Sequence, residues 1–284
     1  MNQTLQNKLL RDFIENSLSE DVGDGDHSSL ACISETEEGK ARLIVKEQGI
    51  LSGSRVAAEV FSIVDPGLES DMFIDDGSEI KPGDIVFHVK GRVHSILKAE
   101  RLVLNIMQRM SGIATSTHQH VLRLEGLKTR ILDTRKTTPG MRFLEKEAVR
   151  TGGGMNHRMG LYDMIMLKDN HIDYAGGIEN AISKTKEYLT STGRRLKVEI
   201  EARNLREVSI ILETGGVDRI MLDNFSIEDT KEAVRMIGSR FETESSGGIT
   251  LDTIRSYAEC GVDFISSGAL THHIKSLDMS LKAF

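Results

Sequence analysis

The stretch Thr129-Arg-Ile-Leu-Asp-Thr-Arg-Lys-Thr-Thr-Pro-Gly140 begins with a short apolar run and continues into charged and turn-forming residues. This change predicts a buried β-strand, Arg130–Leu132, that ends where a sheet meets solvent. Arg135 and Lys136 then place positive charge at that end of the strand. A guanidinium is planar and permanently charged, so it suits a carboxylate or a phosphate, whereas an ammonium supplies a compact charge. The stretch therefore predicts a binding site for a small anion.

Further residues suited to anions follow in the next part of the chain. Thr151-Gly-Gly-Gly-Met-Asn-His-Arg158 combines a run of glycines with Arg158, and Leu167-Lys-Asp-Asn-His171 places Lys168 after another apolar run. Glycines allow backbone N–H groups to approach an anion closely. Because so many cationic groups are concentrated in one region of the sequence, we expect a small molecule with several negative charges.

After Thr129 the chain alternates between short apolar runs and helical segments, a pattern typical of a parallel sheet built from successive βα units. The candidate strands are Arg130–Leu132, Met164–Leu167, Leu196–Ile200, Arg219–Leu222, Phe241–Glu244 and Phe264–Ser266. The candidate helices include Leu205–Glu213, Ile227–Met236 and Leu251–Glu259. We count about six convincing strands, fewer than the eight of a complete α/β barrel, so the predicted barrel has irregular or missing strands.

Polar residues follow nearly every one of these strands, and active sites of α/β barrels lie at the carboxyl ends of their strands. They include Glu199, Glu201, Asp223, Asn224 and the Ser/Gly segments Ser245–Gly248 and Ser267–Gly268. Either Ser/Gly segment alone could be an ordinary turn. Two in succession, each between a strand end and a helix N-terminus, favour a phosphate site.

Glu201 and Asp223 end neighbouring candidate strands close to the cationic residues. They could be surface carboxylates, but their placement favours a shared Mg²⁺. This ion usually takes one or two carboxylates and completes its shell with water and substrate phosphate. His157 and His171 lack the spacing of metal ligands with a third partner, so hydrogen bonding to a substrate is the favoured role for them.

The N-terminal part of the chain predicts a smaller α+β unit. We expect helices at about Leu5–Leu18 and Ile96–Leu124, and strands at Ala41–Lys46, Met72–Asp75 and Ile85–Val89. The loop Glu20–Ser29 lacks the ligand alternation and the distal Glu of a calcium loop, which favours a polar turn with a capping residue. Taken by itself, Arg101 on the long helix belongs to a solvated face.

Composition limits the classes of protein that could carry such a site. With 284 residues and 39% hydrophobic residues, the chain can form one large and one smaller domain. A net charge of −7 argues against a general nucleic-acid or membrane-surface binder. The N-terminus is amphipathic and no long apolar span follows, so we expect a cytoplasmic protein. Cys32 and Cys260 are too few for a zinc set or a disulfide framework and are expected to be plain thiols.

Several segments together resemble the signature motifs of the quinolinate phosphoribosyltransferases, also called carboxylating nicotinate-nucleotide diphosphorylases. The motifs are Asp133–Gly140, Glu145–Arg158, Leu167–Ile172, Leu222–Phe225, Glu244–Ile249 and Gly268–His272, with Asp21–Asp26 and Glu100–Asn105 upstream. The similarity covers essentially the whole chain. It implies an N-terminal α/β sandwich over residues 1–112, to which the tail from about 275 to 284 could return. It also implies an open α/β barrel of about seven strands over residues 113–274, as in type II phosphoribosyltransferases.

The resemblance also implies a reaction. Quinolinate and 5-phosphoribosyl 1-diphosphate would react with Mg²⁺ present to give nicotinate mononucleotide, diphosphate and CO₂ for NAD biosynthesis. By this resemblance, quinolinate would be held by Arg135, His157, Arg158 and Lys168, together with Arg101 of the partner subunit, so that a homodimer would share its active sites.

The resemblance assigns the other ligand to a second group of residues. Lys136 would contact the phosphoribosyl donor, while Glu201 and Asp223 would bind its ribose hydroxyls and the metal. The 5-phosphate would be held by Ser246, Gly247, Gly248, Ser267, Gly268 and Ala269. Thr134, Asn170 and His171 complete the implied binding site, and the implied catalytic residues are Lys136, Lys168, Glu201 and Asp223.

Three alternatives stand beside this interpretation. A homologue with another substrate should show gaps at Asn156–Arg158 or Asp169–His171, and this chain shows none. A barrel lyase would use Lys136 or Lys168 to form a Schiff base, whereas these lysines could equally be fixed positive charges. A sensor would bind the anion without turnover.

Overall fold

The structure, a computed structural model, describes residues 3–284, and the chain divides into two compact units. The first contains the chain up to His118, Thr138–Gly153 and Ile274–Phe284; the second contains Gln119–Thr137 and Gly154–His273.

The strands are β1 (Glu38–Val45), β2 (Gly49–Ile50), β3 (Glu69–Met72), β4 (Glu79–Ile80), β5 (Ile85–Arg92), β6 (Arg130–Leu132), β7 (Ile165–Leu167), β8 (Val198–Ala202), β9 (Arg219–Asp223), β10 (Glu242–Ser246), β11 (Phe264–Ser266) and β12 (Met279–Ala283). The helices are α1 (Gln3–Val22), α2 (His27–Cys32), α3 (Ser54–Val64), α4 (Val93–Arg123), α5 (Arg142–Thr151), α6 (Asp169–Ala175), α7 (Ile178–Thr192), α8 (Leu205–Thr214), α9 (Ile227–Ile237), α10 (Ile254–Glu259) and α11 (Ala269–His272).

An antiparallel sheet in the order β12-β1-β5-β3 organises the first unit. Alternate residues of β1, namely Ala41, Leu43 and Val45, are buried, as expected for a strand with one face on a core. Phe61 of α3 packs in this core against Phe87 of β5, with ring centroids 5.5 Å apart and an edge-to-face arrangement. Every residue of β12 pairs with β1, so the C-terminal segment completes the sheet.

One strand of the first unit differs from the sequence-based expectation. β3 lies on the N-terminal side of the predicted strand Met72–Asp75. The residues after it form a turn, in which the Asp76 carboxylate accepts two N–H bonds at the start of α3, of 3.1 and 3.0 Å. The helix α5 groups with the first compact unit, and the predicted domains 1–112 and 113–274 remain a prediction. The Glu145 side chain of α5 is fully buried and pairs with Arg109 of α4 at 2.6 Å. The predicted border at residues 112 and 113 falls inside α4.

The second unit is built on a six-stranded parallel sheet in the order β6-β11-β10-β9-β8-β7. Each strand overlaps one of the strands predicted from the sequence. Met155 adds an isolated parallel bridge to Leu132 of β6. This order is that of an open α/β barrel, with six strands among the described residues. Among residues 3–284 this sheet has six strands, against the about seven implied by the resemblance, and the Met155 bridge is its one further parallel pairing.

Alternation along the strands directs charged residues toward one side of this sheet. Val198 and Ile200 of β8 point to one face and Glu199 and Glu201 to the other, and all four are buried. The face with the glutamates also carries Glu244 of β10. Among residues 3–284, no helix is both long enough and apolar enough to span a bilayer.

Candidate active site

A cavity of about 560 Å³ lies at the carboxyl ends of the parallel strands, and all of its lining residues belong to the second unit. The predicted site residues that it brings together are Thr134, Arg135, Lys136, His157, Arg158, Lys168, Glu201, Asp223, Ser246, Gly247, Gly248, Ser267, Gly268 and Ala269. Arg101, Asn170 and His171 are not part of this lining. The lining residues that the sequence did not assign to a site are Met166, Met221, Asn224, Ile249, Thr250, Ser266 and His272.

Arg135 and Arg158 bring two guanidinium groups to the cavity. Arg158 donates from Nη1 to the Met164 carbonyl at 3.3 Å, which orients its side chain. Burial lowers the pKa of Arg158, and the positive charge of Arg135 lowers it further. Because partly buried like charges destabilise each other, an anion that binds near both guanidinium groups relieves their repulsion.

His157 is held in place by groups on both sides of its ring. Its backbone N–H donates to Asp133 Oδ1 at 2.8 Å, and its Nδ1 accepts the Arg158 N–H at 2.7 Å. Nε2 lies 3.0 Å from Oε2 of Glu199, and the side chain is only 5% exposed. Both ring nitrogens therefore face protein groups, and the predicted hydrogen bond from His157 to quinolinate remains a prediction.

The loop after β7 places Lys168 and orders the residues that follow it. The backbone N–H of Lys168 donates to Nδ1 of His171 at 3.0 Å, so this histidine caps the start of α6. The Lys168 ammonium forms an ion pair with Glu201, and the Asp169 N–H donates to the other oxygen of Glu201 at 3.3 Å. His171 thus shapes the turn beside Lys168 without lining the cavity itself, and the contact of Asn170 and His171 with substrate stays a prediction.

A buried charge cluster lies on the same face of the sheet as Glu201. Arg219 Nη1 donates to Glu244 at 2.8 Å and lies 3.8 Å from Glu199, while Glu244 lies 3.6 Å from His157 Nε2. Burial raises the pKa of Glu199 and of Glu244 to about 7. The sequence shows Glu199 at a strand end, but nothing in it reveals that Arg219 and Glu244 lie beside it.

Two groups of side chains are candidates for holding a metal ion. His157, Glu199 and Glu244 have ligand atoms within 4.8 Å of one another. Arg219 already supplies positive charge beside Glu199 and Glu244, which are both fully buried, whereas Mg²⁺ usually retains water and substrate phosphate in its shell. Glu201 and Asp223 lie on the neighbouring strands β8 and β9 and line the cavity, and they remain the Mg²⁺ ligands predicted from the sequence.

Two Ser/Gly loops form the other part of the lining. The loop after β10 contains Gly247 and Gly248, whose φ angles of 94° and 62° are left-handed. The loop after β11 leads into α11, and Thr271 of this helix donates its hydroxyl to the Lys136 carbonyl at 2.8 Å. This bond joins the second Ser/Gly loop to the cationic stretch after β6.

His272 also lines the cavity, beside Lys136 and Gly268, where a β-carbon on Gly268 would lie 2.7 Å from the ring Nε2 of His272. Burial lowers the pKa of His272, and the nearby charges of His273 and Lys136 lower it further. A neutral imidazole can accept or donate a hydrogen bond here. His272 is the last residue of the Gly268–His272 motif, so this motif is the feature of the sequence that points to it.

Two family models match successive parts of this chain. The quinolinate phosphoribosyl transferase N-terminal domain matches residues 26–111, and the C-terminal domain of the same family matches residues 113–282. The chain belongs to the quinolinate phosphoribosyltransferase family.

Known members of the quinolinate phosphoribosyltransferase family resemble the chain over nearly its whole length. Quinolinate phosphoribosyltransferase [decarboxylating] 1b of Nicotiana tabacum is 45% identical over 96% of this chain and 82% of its own length. A probable nicotinate-nucleotide pyrophosphorylase [carboxylating] of Bacillus subtilis is 39% identical over 99% of this chain and 94% of its own. The solved structure of the nicotinate-nucleotide pyrophosphorylase from Francisella tularensis superposes with a TM-score of 0.92 at 40% identity, covering 98% of this chain and 97% of that one.

These findings confirm the family and the α/β fold class predicted from the sequence, together with the prediction of a phosphoribosyltransferase for quinolinate in NAD biosynthesis. Arg101 lies in the first unit, on α4, and is exposed in the single chain.

Proposed function

We propose that the cavity binds quinolinate beside 5-phosphoribosyl 1-diphosphate and converts them to nicotinate mononucleotide, diphosphate and CO₂. The observation that carries this proposal is the division of the lining. Three of the lining residues, Arg135, Arg158 and Lys168, are cations, and the two Ser/Gly loops are segments of a kind whose backbone N–H groups suit a phosphate. A pyridine dicarboxylate suits the cations, and a sugar phosphate suits the loops.

Quinolinate carries two carboxylates, and the two guanidinium groups can each bind one in a bidentate manner. The lowered pKa of Arg158 indicates a positive charge that lacks full compensation within the protein. Quinolinate held in this way would direct its ring nitrogen at the sugar. The ammonium group of Lys168, which pairs with Glu201, contributes a third positive charge.

The sugar phosphate would occupy the remaining part of the cavity. Its 5-phosphate would lie against the loops Ser246–Gly248 and Ser267–Ala269, and its ribose hydroxyls would face Glu201 and Asp223. Lys136, which is tied to the second loop through Thr271, would contact the diphosphate end. Magnesium held by Glu201, Asp223 and substrate oxygens would neutralise charge on the diphosphate.

The first chemical step forms one bond and breaks another. The ring nitrogen of quinolinate bonds to the anomeric carbon, and the carbon–oxygen bond to diphosphate breaks with its electron pair on the diphosphate. Positive charge grows on the sugar as this bond breaks, and the carboxylates of Glu201 and Asp223 would stabilise that charge.

Decarboxylation follows on the same ring. The bond between the ring and the carboxylate next to the nitrogen breaks, and CO₂ leaves while its bonding electrons remain on the ring carbon. The neighbouring nitrogen is now quaternary and stabilises this carbanion electrostatically. A proton then adds to the same carbon and gives nicotinate mononucleotide.

The proposed catalytic unit is a homodimer. Arg101 is exposed on α4 and is absent from the cavity lining of its own chain, as expected for a residue that completes the site of a second copy. Two-fold symmetry would then give two equivalent shared sites. Location in the cytoplasm also remains part of the proposal.

The decisive experiment measures both products. Quinolinate labelled in the carboxylate next to the nitrogen would be incubated with 5-phosphoribosyl 1-diphosphate and magnesium, and nicotinate mononucleotide and labelled CO₂ would be quantified. We expect equal amounts of the two products. Binding of quinolinate without either product would instead favour an anion sensor, and a lysine adduct trapped by borohydride would favour a Schiff-base lyase.

A further inference from the structure

Asn224 has an unusual backbone conformation next to a predicted catalytic residue. Among residues 3–284, it is the only non-glycine residue with a positive φ, at 56°. This left-handed conformation is costly for residues with side chains, and Asn is among those that tolerate it best. Such strain persists where surrounding contacts enforce it, often at functional sites. Asn224 also lines the cavity.

Two hydrogen bonds connect Asn224 to different parts of the site. Its side-chain Nδ2 donates to Asp223 Oδ2 at 2.9 Å, so it restricts rotation of that carboxylate. Its backbone N–H donates to the Ser246 carbonyl at 2.8 Å and continues the pairing of β9 with β10. One residue therefore contacts both the end of β9 and the loop that follows β10.

Gly247 packs against this asparagine so closely that a side chain cannot be accommodated. A β-carbon at Gly247 would lie 2.5 Å from Cγ of Asn224 and 2.9 Å from its backbone nitrogen. These separations are shorter than van der Waals contact, and the φ of 94° at Gly247 independently disfavours a side chain. Contact with Asn224 thus fixes the position of the Ser246–Gly248 loop relative to Asp223.

We propose that Asn224 is a positioning residue for the phosphoribosyl donor. It orients the Asp223 carboxylate toward the ribose and, through Gly247, fixes the spacing between that carboxylate and the loop for the 5-phosphate. The proposal rests on the proposed function, because it takes a ribose phosphate as the ligand of this part of the cavity. It assigns no role in quinolinate binding to Asn224.

Asn224→Gly is the sharpest test, because glycine adopts φ 56° without strain and only the side chain is lost. Calorimetry would measure binding of ribose 5-phosphate and, separately, of quinolinate, and steady-state kinetics would give KM for 5-phosphoribosyl 1-diphosphate. We expect ribose 5-phosphate affinity to fall by about tenfold or more, as for loss of a hydrogen bond to a charged group. Quinolinate affinity should remain within about twofold, since no contact of Asn224 reaches the guanidinium groups.

Further variants separate positioning from simple structural support. Asn180→Ala removes an exposed asparagine of α7 outside the cavity and should leave both affinities unchanged. Gly247→Ala should weaken ribose 5-phosphate binding strongly. In the double variant Gly247→Ala/Asn224→Gly, the second substitution should lower ribose 5-phosphate affinity less than Asn224→Gly lowers it in the wild-type protein. The reason is that the Asn224 side chain, with which the new β-carbon at position 247 would collide, is then absent.

Several outcomes would overturn the proposal. Unchanged ribose 5-phosphate affinity in Asn224→Gly removes the positioning role, as does wild-type protein that binds no ribose 5-phosphate. Equal losses for both ligands with a lowered Tm would show a purely structural residue. If the wild-type protein binds ribose 5-phosphate but makes no nicotinate mononucleotide, the proposed function fails while the binding comparison still tests Asn224.

Discussion

The ammonium group of Lys168 pairs with the carboxylate of Glu201, linking the turn after β7 to β8. The family resemblance assigns these residues to different ligands, Lys168 to quinolinate and Glu201 to the ribose and the metal. Glu201 is buried whereas the Lys168 side chain is 45% exposed, so the lysine can exchange its partner more easily. The two members of one ion pair are thus predicted to contact different ligands.

The first prediction concerns the two carboxylates of the cavity. The double variant Glu201→Gln/Asp223→Asn should lose turnover by orders of magnitude, because preorganised charge of this kind contributes about 3–4 kcal/mol to catalysis. Initial rates at saturating substrates and magnesium measure the effect. The double variant Glu213→Gln/Glu228→Gln removes two exposed carboxylates from α8 and α9 and serves as the matched control. Near-normal turnover of the first variant would remove both residues from the catalytic assignment.

The second prediction concerns selectivity for quinolinate. Nicotinate has only one carboxylate and would leave one of the guanidinium groups of Arg135 and Arg158 without its anion. We therefore expect kcat/KM for nicotinate to be lower than for quinolinate by about a thousandfold or more. Competition between the two acids in one reaction gives the ratio directly. Comparable turnover of nicotinate would contradict the assignment of the cationic cluster to a dianion.

The third prediction tests the shared site. Arg101→Ala supplies an intact barrel and Lys136→Ala supplies an intact Arg101, so each variant alone should be inactive. With random exchange of subunits, half of the dimers are mixed and each contains one complete site. On the order of a quarter of wild-type activity should then return.

Exchange must be demonstrated independently, for example with differently tagged subunits. Each variant must also remain folded and dimeric in sedimentation experiments. If activity stays absent under these conditions, Arg101 belongs to the protein surface and the single chain forms the whole site. If the wild-type protein is monomeric and active, the shared-site proposal is also wrong.

The fourth prediction concerns pH and the buried glutamates. The pKa of Glu244 is raised to about 7 by burial, whereas an unfolded glutamate titrates at 4.5. Between these values the folded state binds more protons than the unfolded state, so stability is greatest at low pH and falls as pH rises toward 7. Glu199, His157 and Arg219 surround the carboxyl group, and the pKa of Glu199 is raised to about 7 as well.

Glu244→Gln should reduce this loss of stability with rising pH. The free energy of unfolding of the wild-type protein should fall between pH 5 and pH 7.5 by about 1–3 kcal/mol more than that of the variant, since one pKa unit corresponds to about 1.4 kcal/mol. Urea unfolding at both pH values measures the difference. Glu213→Gln, on the exposed surface, should keep the wild-type slope. Equal slopes for wild-type protein and Glu244→Gln would show that Glu244 titrates normally.

The sequence by itself determined the parallel strands and the chemistry of the cavity. Each strand is a short apolar run between polar segments, and the functional residues follow these runs directly, as Arg135 follows β6 and Asp223 ends β9. Because parallel strands bring their carboxyl ends to one edge, such residues converge whatever the detailed packing. Family motifs within these same segments sufficed to predict the reaction.

The tertiary structure alone decided which side chains touch. The Lys168–Glu201 pair, the Arg219 cluster and the fit of Gly247 against Asn224 each join residues from different strands or loops. The pairing of the buried Glu145 of α5 with Arg109 of α4 is a contact of the same kind. Local sequence patterns report burial and periodicity, whereas contacts of this kind depend on register and packing between segments that are far apart in the chain.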